Sequence, residues 1–154
     1  MTTATTECLH VRANHGPLLN VIGDHQRIIL TGEQTGGTMT LLANCNSPGT
    51  GIPLHFHGSE DEAFYILEGE VEFTVADQTI IARKGDTIFG ARKIPHAWKV
   101  IGDRDARMLV FVTPGGCDRM FQELADLCRG GQRPAPETIM EICGRYDVHF
   151  QPPV

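Results

Sequence analysis

The sequence predicts a mainly β protein, a small antiparallel sandwich or barrel with a C-terminal helical extension. Three observations carry this. From Leu18 to Val112, short apolar runs alternate with turn residues, which is the spacing of an all-β fold. The turns between the runs are tight and chemically explicit. After Pro114-Gly115-Gly116 the apolar period lengthens from two to about 3.6 residues, the change from strand to helix.

At 154 residues the chain can bury one core. Three regions are expected: a polar arm over 1–16, a β unit over 17–114 and a helical tail over 115–154. The net charge of −6, with no basic run, argues against nucleic acid or an anionic membrane surface as partner. No stretch approaches the ~20 apolar residues of a membrane span. The first residues lack the charged and apolar regions of a secretory signal. The cysteine count of 5 is odd and includes no C-x-x-C pair, so reduced thiols and a cytoplasmic location are expected.

The expected strands are Leu18–Ile22, Arg27–Leu30, Gly37–Ala43, Ile52–His57, Glu62–Glu68, Glu70–Val75, Gln78–Ala82, Thr87–Gly90, His96–Ile101 and Arg107–Thr113. Leu67-Glu68-Gly69-Glu70 joins two of them tightly, with Gly69 free to take a positive φ. In the strand that follows, Val71, Phe73 and Val75 alternate with Glu72 and Thr74, so one face is buried and the other wet. Val75-Ala76-Asp77-Gln78 turns the next hairpin, and Lys84-Gly85-Asp86 the one after. In the tail, Met120, Phe121, Leu124, Ala125, Leu127 and Cys128 form a helical stripe with Asp118 as its N-cap. Gly130 to Pro136 breaks that helix. Glu137 to Tyr146 reads as a second, striped by Ile139, Met140, Ile142 and Cys143. Short helices gain most of their stability by packing, so these two are expected against the outside of the β unit or on a second subunit.

The candidate chemistry lies in Gly49 to Glu62 and at His96. His55 and His57 stand at i and i+2 of a strand, so both rings share a face. Glu62 follows a polar turn, Gly58 to Asp61, and opens the next strand toward the same interior. His96 lies in the apolar segment Ile94-Pro95-His96-Ala97-Trp98. Three imidazole nitrogens and a carboxylate oxygen suit one divalent ion such as Fe, Mn, Co, Ni or Zn. A lone His-x-His is more often packing than a ligand pair, but burying all these groups without partners would cost several kcal/mol. His10, His15, His25 and His149 lie in the arm, a turn and the tail, where solvated or local hydrogen-bonded roles are expected.

The run Gly49, five residues, His55-Phe56-His57, four residues, Glu62, six residues, Gly69 resembles the first motif of the cupin superfamily at every fixed position. The second motif is looser. Gly85 and His96 are in place, while Ala91, Lys93 and Val100 stand where the family carries proline, glycine and asparagine. Lacking glycine's freedom, position 93 implies a different turn. The resemblance covers roughly residues 18–114. It implies a jelly-roll barrel with His55, His57, Glu62 and His96 as the four metal ligands.

More narrowly, Thr35-Gly36-Gly37, Glu60-Asp61-Glu62-Ala63-Phe64-Tyr65 and a tail ending in Arg145-Tyr146 and Pro152-Pro153 resemble the quercetin 2,3-dioxygenase-like group. That likeness implies dioxygenase activity on a flavonol-like or other hydroxylated aromatic or enolisable small molecule, with ring opening and loss of carbon monoxide. Glu62 would serve as ligand and as base, with dioxygen as co-substrate. A non-redox isomerase, cyclase or lyase using the ion as a Lewis acid fits the same ligands, as does a metal-bearing protein that only binds a small ligand.

By strand parity Phe64, Ile66, Phe73 and Trp98 form either an apolar substrate pocket or simply core. Lys93 is either a contact for an anionic substrate or a solvated turn residue. Ala63, Tyr65 and Leu67 face outward and need cover from the tail or a partner sheet, and the likeness favours a homodimer.

Overall fold

The structure, a computed structural model, describes residues 8–151. Residues 1–7 and the Pro152-Pro153 ending lie outside the described residues. The elements are β1 (Leu19–Val21), β2 (Asp24–Leu30), β3 (Thr40–Asn46), β4 (Gly51–His57), β5 (Asp61–Glu68), β6 (Glu70–Val75), β7 (Gln78–Arg83), β8 (Thr87–Gly90), β9 (His96–Ile101), β10 (Ala106–Thr113), α1 (Asp118–Leu127), α2 (Pro136–Arg145) and β11 (Val148–Phe150). A six-stranded sheet runs β1-β2-β3-β10-β5-β8 and a five-stranded sheet runs β11-β4-β9-β6-β7. All pairings are antiparallel.

The two sheets form a jelly-roll sandwich and are not closed into a barrel. Among the described residues, β1, β8, β7 and β11 each pair on one side only, so hydrogen bonding does not run continuously round the two sheets. Between the sheets lies a core of Leu42, Phe64, Ile66, Val71, Phe73, Trp98, Val100, Met108, Val110 and Val112. These come from alternate positions of their strands, as the pleat requires. No helix among the described residues is long and apolar enough to cross a membrane.

Several expectations need correction. β2 begins at Asp24 rather than Arg27, and β3 runs on to Asn46 rather than ending at Ala43. The added residues Asp24, Gln26, Asn44 and Asn46 are polar yet buried, so an apolar pattern ends before the strand does. β11 was not expected; it pairs with β4, setting Val148 opposite His57 and Phe150 opposite His55. Asp118 does not cap α1, whose N-cap is Cys117. Its Oδ1 instead accepts from Gly32 N–H at 2.9 Å and from the Thr40 hydroxyl at 2.8 Å.

The helical tail lies elsewhere than over the outer stripe. α1 packs on β1 and α2 on β11, and these are edge strands of opposite sheets. The helices therefore bridge the gap between two sheet edges. Met120, Leu124, Ala125, Ile139, Ile142 and Cys143 meet Leu19, Val21 and Val148 there in a second core. Tyr65 remains 41% exposed. In the arm, the Arg27 guanidinium donates to the carbonyls of Asn14, at 3.0 Å, and Gly16.

Candidate metal centre

Three strands bring the predicted ligands together. β4 carries His55 and His57 on its inner face, β9 pairs beside it with His96 opposite His55, and β5 presents Glu62 from the facing sheet. All four are buried, and one ligand atom from each lies within 4.8 Å of every other. Two ligand bonds of about 2.1 Å span at most about 4.2 Å. A small inward movement of the side chains therefore closes the set on one ion.

Each imidazole is held by an oxygen acceptor on its outer nitrogen. His55 Nδ1–H donates to the Pro53 carbonyl at 2.8 Å, and His96 Nδ1–H to that of Ile94 at 3.2 Å. His57 Nδ1–H donates to Glu60 Oε2 at 2.8 Å. A carbonyl or carboxylate can only accept, so each Nδ1 carries a hydrogen and each Nε2 can offer its lone pair inward. Nε2 of His96 and Nε2 of His57 then face the same oxygen, Glu62 Oε2, at 2.7 and 3.2 Å. Lone pairs opposed at that range need a cation between them, a proton or a metal. The donor set fits a divalent metal, and this orienting of histidines by outer acceptors is what metal sites require.

The electrostatics show protons and a metal ion competing for the same nitrogens. Burial holds the His55 imidazole down to about 4, leaving it neutral as a ligand must be. Burial also opposes charge on His57, but the Glu62 carboxylate and the hydrogen bonds to Glu60 and Glu62 raise it to about 10, so a metal ion must displace a proton from this ring to bind. Burial alone would raise Glu62. The charge of His57 and the hydrogen bonds from His57 and His96 outweigh that and hold it well below the usual carboxylate range.

The cluster opens onto a cavity of about 60 Å³, several times the ~10–15 Å³ that one water needs on the same measure. Phe64 and Trp98 line it, with Ile52, Val110 and Phe150 among the other walls. Ile66 and Phe73, for which pocket and core were both open, are fully buried in the core and do not line it; Phe73 packs its ring on Phe64 at 5.1 Å. Parity placed them on the inner face correctly but could not say how deep in the sandwich each lies.

The turn before His96 also corrects its expectation. Lys93 takes φ +67°, so the left-handed turn is kept without glycine. Its N–H donates to the His57 carbonyl at 2.7 Å, which ties the two ligand segments together, and its side chain is exposed.

Sequence reasoning missed Glu60, although an acid three residues after His57 was a legible signal. It also missed the helical wall of Met120, Phe121, Leu124 and Cys143, and the buried polar wall of Asp24, Gln26 and Asn44. The inward parity of Asn44 with Leu42 would have found part of the latter.

Residues 46–112 match the family model described as Cupin domain. The polyketide synthase protein CurC of Streptomyces cyaneus is 27% identical over 93 residues, 60% of each chain. Quercetin 2,3-dioxygenase of Bacillus subtilis is 25% identical over 104 residues, 68% of this chain and 31% of that one. The solved structure of KdgF from Halomonas sp. superposes with a TM-score of 0.65 at 14% identity, covering 73% of this chain and 99% of that one; this shows a shared fold. The chain spans 59% and 60% of the length of the first curated relatives it matches.

Proposed function

The chain belongs to the cupin superfamily, and from that premise we propose that it is a metal-dependent dioxygenase. Its substrate in this reading is a hydroxylated aromatic or enolisable carbonyl compound. The observation that carries the proposal is the buried cluster of His55, His57, Glu62 and His96, opening onto a cavity walled by flat apolar side chains. Those four residues would hold one divalent ion, Fe, Mn, Co or Ni in the redox-active case. That ion would supply Lewis acidity and a meeting point for an oxygen donor and dioxygen.

The chain's own residues do the rest. Phe64 and Trp98 hold a planar ring in place. Glu62, whose carboxylate lies within the cluster and on the cavity wall, is in this proposal the base that takes a proton from a substrate hydroxyl. Burial excludes water from the reacting groups. A flavonol exceeds the cavity's volume, so its entry displaces part of the helical wall formed by Met120 and Phe121.

The test is oxygen uptake with quercetin by protein stripped and reloaded separately with iron, manganese, cobalt, nickel and zinc. Uptake with a redox-active metal, lost in His96→Ala, is the expected result. Metal-independent uptake would contradict the proposal. The match to a polyketide synthase protein, at an identity similar to that with the dioxygenase, favours a second reading: a non-redox cyclase, isomerase or lyase with the ion as Lewis acid. Full turnover of zinc-loaded protein under nitrogen would select it. Recovery of tightly bound ligand unchanged would select a binding role without catalysis. The exposed Tyr65 and Phe89 on adjacent strands are, in this proposal, where a second copy pairs; a monomer mass by light scattering would refute that part.

A further inference from the structure

The cavity has a second polar wall that the metal chemistry does not use. Asp24, Gln26 and Asn44 line the same cavity as His55, His57 and Glu62. All three are buried, with Gln26 2% and Asn44 3% exposed. The Asp24 carboxylate, which only accepts, receives Gln26 Nε2–H at 3.0 Å and Asn46 Nδ2–H at 2.6 Å. That contact fixes which way the Gln26 amide faces. Among the described residues, Gln26 Oε1 is left without a donor, and so is Asn44 Oδ1. Buried acceptors are rarely left unpaired, and each such case calls for a physical reason.

Register places these two acceptors side by side, since Gln26 and Asn44 are directly opposed across β2 and β3. Cβ atoms of such a pair lie about 5 Å apart. Two adjacent acceptors with no donor of their own are complementary to two adjacent donors on a ligand. The wall is also at the far end from the metal cluster. Asn44 stands opposite Met108 and Glu62 opposite Val112, a separation of roughly 13 Å along β10, less the reach of the side chains.

We propose that Gln26 and Asn44, anchored by Asp24, recognise a vicinal pair of hydroxyls on the substrate end remote from the metal cluster. The inference rests on the proposed function and narrows its substrate to an aromatic compound with a catechol-type ring opposite its enol or ketone end. A site built to accept hydroxyl hydrogen bonds rejects analogues that lack them, because its acceptors then stay unpaired.

The test is a pair of binding titrations on full-length protein loaded with zinc, so that no oxygen chemistry consumes the ligand. The probes are quercetin and galangin, the flavonol lacking both hydroxyls on the catechol ring. Trp98 is the only tryptophan in the chain and lines the cavity, so its fluorescence reports occupancy directly. Wild type is expected to bind quercetin at least about tenfold more tightly than galangin. In Gln26→Met and in Asn44→Leu, which replace an amide by an apolar side chain of similar size, the ratio should collapse while galangin binding is kept. Thermal melts confirm folding.

A wild-type ratio near unity overturns the inference without any variant. If the same protein consumes oxygen with quercetin, only the catechol-recognition inference fails and the dioxygenase proposal stands. A tenfold ratio retained in both folded variants also overturns it. Binding of neither flavonol overturns both the inference and the flavonol-like substrate class.

Discussion

Glu60 is the residue that turns a histidine pair into an oriented donor set. Its carboxylate fixes His57 Nδ1–H at 2.8 Å and so aims Nε2 at the cluster. Removing such an outer partner typically weakens metal binding 10–100-fold. Glu60→Ala is therefore expected to lose affinity on that scale in a competition titration, and Glu60→Gln, which keeps an acceptor, to lose much less. Equal losses in the two would mean that Glu60 acts through bulk charge rather than by orienting the ring. Asp24 gives a second residue-level prediction. Burial raises it from 3.8 to about 6, against hydrogen bonds from Asn46, Gln26 and Asn44 and the charge of nearby His25. A raised carboxyl holds its proton more tightly folded than unfolded, so its contribution to stability falls as pH rises from about 4 to 6. The full cost, on the order of 3 kcal/mol at most, stands above that window. Asp24→Asn should gain on wild type between about pH 4 and pH 7 in denaturant titrations; a constant difference would contradict this. The clustering of His55, His57, Glu62 and His96 was legible because their spacing is rigid. Glu60 and Asp24 were not, because their roles depend on which oxygen meets which nitrogen.

Among the elements, the turn at Lys93 shows backbone demand prevailing over residue preference. A side chain at φ +67° costs roughly 1–2 kcal/mol, and the bond from its N–H to the His57 carbonyl offsets part of that. Lys93→Gly should leave stability within about 1 kcal/mol of wild type or raise it. Lys93→Val should destabilise, since β-branched residues resist this conformation. The reverse order in thermal melts would show that the side chain, not the backbone, holds the turn. Gly51 is the opposite case, because a Cβ there would run into the Trp98 carbonyl and the Lys99 backbone, which cannot step aside without breaking the β4–β9 pairing. The hairpins β5 to β9 were readable because alternation and turn chemistry coincide there. β2, β3 and β11 were misjudged where strands carry polar residues inward or are only three residues long; pairing rather than local pattern defines them.

At the scale of the molecule, the helical tail completes the site. α1 and α2 span the edges of the two sheets, and Met120, Phe121, Leu124 and Cys143 supply cavity wall. The helical periodicity was visible in the sequence, but where the stripe docks depends on which sheet edges are left uncovered, and that is a property of the whole topology. Leu124 is 2% exposed, so Leu124→Ala should cost about 2–5 kcal/mol and enlarge the cavity, lowering the melting temperature and changing Trp98 fluorescence together. A lower melting temperature with unchanged fluorescence would separate the cap from the site.

The claim on which the rest depends is that His55, His57, Glu62 and His96 hold one ion. The most direct measurement is metal content and ligand-type spectroscopy of wild type reloaded with cobalt, beside His96→Ala. The account predicts one ion per chain in a nitrogen-rich site, lost or greatly weakened in the variant. Wild type that binds no metal, or a variant that binds it equally well, would contradict it.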